Sequence, residues 1–392
     1  MPHDNGRLIV SGGKLILEEG IVTGKDVVIE HGIVTEIVDH GKAPQGAILD
    51  ADGNYVAPGF IDLHTHGSFG VDLVKATPEE IADFQKRLPE TGVTGFLASV
   101  AGVARDHMVN VVQRLQDARN ERTSGAQILG VHLEGPYLNP ARRGMMPAGV
   151  LETFDPSRCD LLDRVEPPAT MTLAPDLERA AELIDELNRR GIIACGGHSE
   201  ATFEQVVDAV DRGLRHVTHL FNAMPPPHHR APNIVTAALV LDELTVELIV
   251  DGHHVAPPVV ALVNKAKGAR HIILVTDATA AAGLPDGDYA LADIKVSVRG
   301  GVSRTADGTL AGSTLTLNRA VKNFLAFSGV DICQAIRTVT ANPARVLGIE
   351  HRKGEIEPDF DADITIFDDD LNIAATVIAG QCVWKNPTMS NH

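Results

Sequence analysis

The sequence predicts an α/β protein: a (β/α)8 barrel of the TIM type carrying a small β-sandwich domain built from both chain termini. Three observations point there. About eight short apolar runs alternate with helix-patterned segments through the middle of the 392 residues. Both chain ends have the texture of short strands joined by glycine turns. Histidines and acids gather where the predicted strands end, which in a parallel barrel is the catalytic face.

In order along the chain, residues 1–56 contain Leu8–Val10, Lys14–Leu17, Val27–Glu30 and Thr35–Val38, short β-branched runs punctuated by Gly12-Gly13, Gly24 and Gly32. Barrel strands are predicted within 57–351 at Gly59–Leu63, Gly95–Ser99, Ile128–Leu133, Met171–Leu173, Ile192–Cys195, His216–His219, Val246–Val250 and Ile272–Val275. Most are unbroken apolar runs, as parallel strands buried on both faces require. Between them, Thr77-Pro78-Glu79-Glu80 reads as a capping box with proline at the first helical position. Asp176–Arg190 and Phe203–Arg212 carry apolar residues three and four apart. Residues 352–392 return to strand texture at Gly354–Ile356, Asp363–Phe367, Ala375–Ile378 and Val383-Trp384, with a turn at Ala379-Gly380. The pattern assigns 1–56 with 352–392 to the sandwich and 57–351 to the barrel. An open doubly wound sheet is the alternative, but no GxGxxG follows a strand.

The formal net charge of −18 argues against nucleic acid or an anionic membrane as partner, since both need a basic surface. A polar amino terminus, the absence of ~18 uninterrupted apolar residues and four scattered cysteines (Cys159, Cys195, Cys333, Cys382) point to a cytoplasmic protein with reduced thiols.

The chemistry-bearing residues are His64 and His66 after strand one, His132 and Glu134 after strand three, His198 after strand five, His219 after strand six and Asp277 after strand eight. Side chains two apart on a strand share a face, so His64 and His66 point together. Imidazoles converging with carboxylates suit zinc or another divalent first-row metal.

These motifs resemble the N-acetylglucosamine-6-phosphate deacetylases, a branch of the amidohydrolase superfamily. Pro58-Gly59-Phe60-Ile61-Asp62-Leu63-His64-Thr65-His66-Gly67, His132–Pro136, Gly197-His198-Ser199, Thr218–Met224, Asp251-Gly252-His253-His254 and Val275–Ala278 carry the resemblance. It implies that Glu134, His198 and His219 hold the principal metal, with His64 and His66 adding a second position. The cofactor would be zinc, with iron, manganese or cobalt as alternatives, as one ion or two. Asp277 would be the acid/base, passing the proton of an attacking water to the departing amine. Arg230 and His254 would contact a sugar phosphate, helped by backbone N–H groups around Asn222 and Ala223. The resemblance also implies a homodimer in which His254 reaches the neighbouring active site. The expected reaction is deacetylation of an amino-sugar phosphate, N-acetylglucosamine 6-phosphate.

Two departures stand out. Where the family carries Lys/Arg-Gly-x-His, this chain reads Arg143-Gly144-Met145-Met146, and a thioether donates no hydrogen bond. Where the family has Arg-Glu-Pro-Gly, this chain has Arg230-Ala231-Pro232-Asn233. They leave room for another acetamido sugar such as N-acetylgalactosamine 6-phosphate, for an N-acyl amino acid, or for a non-catalytic relative that binds a sugar phosphate.

Overall fold

The computed structural model describes residues 6–387 except 122, 159, 292, 293 and 307, so Cys159 lies outside the described residues. Eight parallel strands form the barrel in chain order: Phe60–Thr65, Val93–Ala101, Gln127–Glu134, Thr170–Leu173, Ile193–Gly196, His216–Val217, Thr245–Leu248 and Ile272–Leu274. They are numbered one to eight below. Strands one and eight join at their carboxyl ends, where Asp277 N donates to His64 O (2.8 Å) and His66 N to Ala278 O (2.8 Å). Lower down, Ile61 and Leu274 donate instead to the carbonyls of Val339 and Thr338. Buried Asp62 adds a side-chain clasp, accepting from Thr276 Oγ1 at 2.6 Å. Burial pushes its carboxyl up to about 6 against those hydrogen bonds.

Local signals read from the sequence act as expected. Thr77 caps the helix Pro78–Arg87 through a complete capping box, and Thr202 does the same for Phe203–Asp211 with Gln205. The helix predicted over 176–190 begins only at Ala180, after Arg179 in a left-handed conformation. Strand six is shorter than expected: it stops at Val217, because His219 turns out of it with φ +28°.

Two further sheets are made from the chain ends. A six-stranded sheet orders Gln381–Lys385, Ile373–Ile378, Ile364–Phe367, Tyr55–Pro58, Lys14–Leu17 and Gly20–Val22. A four-stranded sheet orders Ile33–Asp39, Lys25–Glu30, Arg7–Ser11 and Ala47–Asp50. Val10, Val27, Ile29, Val56, Ile364 and Val377 share one core between them. Thr365 and Thr376 donate to the carbonyls of Gly92 and Pro89, pinning the larger sheet to the barrel. Gly354–Ile356, expected as a strand, is irregular; there buried Lys353 pairs with Asp361 and Asp363. A three-stranded antiparallel sheet (Gly287–Leu291, Ile294–Arg299, Val302–Thr305) follows strand eight and was not anticipated. Its signal is present in the sequence, since Gly300-Gly301 between alternating runs is a hairpin turn. Among the described residues no helix is long and apolar enough to cross a membrane.

Candidate active site

The carboxyl ends of five barrel strands bring six side chains into one cluster. Glu134 Oε1 lies 2.9 Å from His198 Nε2 and 3.0 Å from His219 Nε2, and those two nitrogens are 3.0 Å apart. Glu134 Oε2 faces His66 Nε2 at 3.4 Å, and His66 Nε2 lies 3.2 Å from His64 Nε2. Asp277 Oδ1 completes the ring at 3.3 Å from His66 Nε2 and 3.6 Å from His64 Nε2. Two potential metal-ligand groups share Glu134: one with His198 and His219, the other with His64 and His66.

The backbone is bent to make this possible. His198, His219 and Asp277 all have positive φ (48°, 28° and 45°), as do Phe221 and Ala223. Such conformations cost of order 1–3 kcal/mol each for residues with a Cβ and persist only where surrounding contacts enforce them. Here the strand ends are anchored in the barrel and the chain twists sharply to aim each side chain inward. Gly67 follows the same logic, because at φ +144° a Cβ there would collide with the Val71 carbonyl.

Electrostatics favour positive charge at the centre. Burial opposes charging the His64 ring, but Asp277, Glu247 and Glu134 outweigh it and raise its pKa to about 9. His66 is raised to about 10, burial again overcome by hydrogen bonds to Asp277 and Glu134. Burial would push Glu134 up, yet its bonds to His198 and His219 hold it well below the carboxylate range. His64 and His66 likewise keep Asp277 low despite its burial. His198 Nδ1 donates to the Arg142 carbonyl (2.8 Å), turning Nε2 toward Glu134. Four imidazole nitrogens and two carboxylates, dry on one side and open at Asp277, fit a divalent first-row cation by donor type. His132 stands apart: it bonds Ser99 and Thr172 through both nitrogens, and burial beside His64 drops it to about 3. It is a neutral floor to the cluster.

The chain belongs to the amidohydrolase family. That family's model matches residues 55–383. The chain is 36% identical to the N-acetylglucosamine-6-phosphate deacetylase of Bacillus subtilis, over 89% of its length and 90% of that protein. It is 34% identical to the N-acetylgalactosamine-6-phosphate deacetylase of Escherichia coli O157:H7, covering 86% and 89%. The solved structure of the N-acetylglucosamine-6-phosphate deacetylase of Thermotoga maritima superposes with a TM-score of 0.87 at 35% identity, covering 96% of this chain and all of that one.

The residues expected around a substrate sit less uniformly in this amidohydrolase. Arg230 is exposed on the loop after strand six, its guanidinium against the His229 ring at 2.7 Å. Asn222 donates its backbone N–H to the His219 carbonyl and its amide to the carbonyls of His219 and Leu220. Its N–H is engaged within the turn. Ala223 (φ +53°) follows it with no such bond among the described contacts. His254 is held firmly within its own loop. Its side chain is only 7% exposed and Nδ1 is held at 2.7 Å by Asp251 Oδ2. The Asp277 carboxylate is also among the charges acting on the ring. Met146 is buried, and its carbonyl accepts from Arg143 in the loop that passes over His198. Sequence reading missed Glu247, buried at the middle of strand seven and bonded to His64, His216 and the His219 backbone. An acid inside the apolar run Val246–Val250 was its visible signal.

Proposed function

We propose that this amidohydrolase removes the acetyl group of N-acetylglucosamine 6-phosphate, giving glucosamine 6-phosphate and acetate. One observation carries the chemistry: Glu134 joins two histidine pairs while Asp277, at the open side, contacts the His64–His66 pair. Glu134, His198 and His219 would hold the principal divalent cation, and His64 with His66 a second. When bound, such a cation polarises the amide carbonyl and acidifies water.

The remaining work falls to side chains. Asp277, ionised and 14% exposed, accepts a proton from the attacking water and delivers it to the amide nitrogen as the C–N bond breaks. The nitrogen leaves as an amine and the acyl carbon as acetic acid, whose proton then passes to the amine, giving ammonium and acetate. His254, with Nδ1 fixed by Asp251, would offer its other nitrogen to the substrate's phosphate. Arg230 suits the phosphate because guanidinium pairs two phosphate oxygens at once. The names of both relatives specify amino-sugar 6-phosphates, which supports this substrate class.

We assign zinc as the cation because nitrogen and oxygen ligands on a rigid barrel suit it. A homodimer is supported by Val240 and Leu262, exposed apolar residues on two contacting helices that follow the Arg230 and His254 loops. A cytoplasmic setting accords with the free thiols of Cys195, Cys333 and Cys382. The test is acetate release from N-acetylglucosamine 6-phosphate, its galacto epimer and the unphosphorylated sugars, with metal content measured on the same sample. Asp277→Asn should lower turnover roughly 10²–10⁴-fold with metal content retained. Full activity in that variant, or acetate release only from unphosphorylated sugars, would overturn the proposal.

A further inference from the structure

We propose that Glu247 is the positioning residue of the metal centre, fixing the His64 ring and the His219 backbone with one carboxylate. The inference rests on reading the cluster as a metal centre. Glu247 is 3% exposed and lies between Val246 and Leu248, both fully buried. Oε2 accepts from His64 Nδ1 at 3.0 Å and from the His219 backbone N at 3.1 Å; Oε1 accepts from His216 Nε2 at 3.1 Å. Only an ionised carboxylate accepts from three donors without offering one of its own. That requirement explains an acid in an apolar strand.

The consequence for His64 is a set tautomer. With a cation bound in place of the second proton, His64 would keep its remaining proton on Nδ1, directed at Glu247, and turn the Nε2 lone pair toward His66, 3.2 Å away, and toward Glu134 and Asp277. Among the described residues, Glu247 is the hydrogen-bond partner of His64 Nδ1. His132 packs edge-on against the His64 ring, at 4.5 Å between centroids, but both its nitrogens are engaged by Ser99 and Thr172. His219 depends on Glu247 differently. Its ring Nδ1 is buried without a hydrogen-bond partner, so its position is set through the backbone, and Glu247 takes that N–H where φ is +28°. His216 continues the chain away from the site, with Nδ1 2.6 Å from Thr245 Oγ1. Glu247 therefore links the two ligand groups from beneath, while Glu134 links them from above.

The experiment compares metal affinity and stoichiometry in wild type and Glu247→Gln, by zinc titration against a competing chelator. Loss of a hydrogen-bond partner behind a metal-ligating histidine typically lowers affinity 10–100-fold. We expect a loss of that size at the His64–His66 position and a smaller one at the Glu134–His198–His219 position. A second reading needs no variant: histidine-selective ¹⁵N spectra of the zinc-loaded wild type should show His64 protonated at Nδ1. Affinities within twofold of wild type, or a His64 ring protonated at Nε2, would overturn the assignment of Glu247 alone. A wild type that binds no divalent cation would overturn the metal centre itself.

Discussion

The two sides of the site are built in different ways. On one side, Glu134, His198, His219, His64, His66 and Asp277 stand at or just beyond the ends of five barrel strands, and buried partners hold their rings and carboxylates. On the other, Arg230, His254 and Met146 belong to loops, and Arg230 is exposed. Strand ends anchored in a closed barrel place atoms within tenths of an ångström, while loops vary without disturbing the barrel. The difference separates the two questions a hydrolase must answer: how the bond is cleaved and which molecule is cleaved. Both departures from the family pattern fall on the loop side.

That contrast can be broken experimentally. The largest expected effect, the loss in Asp277→Asn, belongs to the strand-end cluster and should be similar for every acetamido substrate. Arg230→Ala should act on one class only, raising KM for phosphorylated sugars roughly 10–100-fold, the worth of a charge-assisted hydrogen bond, and leaving unphosphorylated ones unchanged. Steady-state kinetics on both classes would decide; equal losses on both would place Arg230 in the folding of its loop.

A smaller effect concerns His254. Burial disfavours charge on its ring, but Asp251 prevails and raises its pKa, while the same pairing holds Asp251 low against its own burial. The raised imidazole stabilises the fold below its ordinary value of 6.5 and loses that contribution as pH rises through the folded pKa. The lowered carboxylate contributes above its ordinary 3.8 and loses it as pH falls through the folded pKa. The pair is therefore worth most between those two values. Asp251→Asn should move the His254 titration down toward or below 6.5 in proton NMR, and an unmoved titration would remove Asp251 as the cause. The smallest effect is expected at Met146. A thioether donates no hydrogen bond, so Met146→Leu, a volume-conserving change, should leave kcat within about threefold. A loss of 10² or more would mean that the sulfur itself takes part.

Much of the cluster was legible because its determinants are local. The HxH spacing of His64 and His66 puts both rings on one face, and Glu134, His198 and Asp277 each follow an apolar run that marks a strand. Capping at Thr77 was legible for the same reason, since the side chains of Thr77 and Glu80, three residues apart, each bond the other's backbone. The three-stranded sheet was legible in principle, through Gly300-Gly301, but its strands pair with one another and carry no barrel pattern. Gly354–Ile356 has strand composition, yet among the described residues it joins no strand pairing, and its chain turns around the Lys353 ion pairs instead.

The sequence by itself determined the alternation of strand and helix, the β-rich ends, and the identity of the groups that meet at the barrel mouth. Spacing and apolar periodicity encode these over a few residues. Only the tertiary structure decided that Glu134 stands between two histidine pairs, that His254 pairs with Asp251, and that Asn222 closes its own turn. It also decided that Glu247 lies beneath His64. His64 and Glu247 are separated by 183 positions, and a hydrogen bond across that interval depends on how the barrel closes. No local pattern in the chain records it.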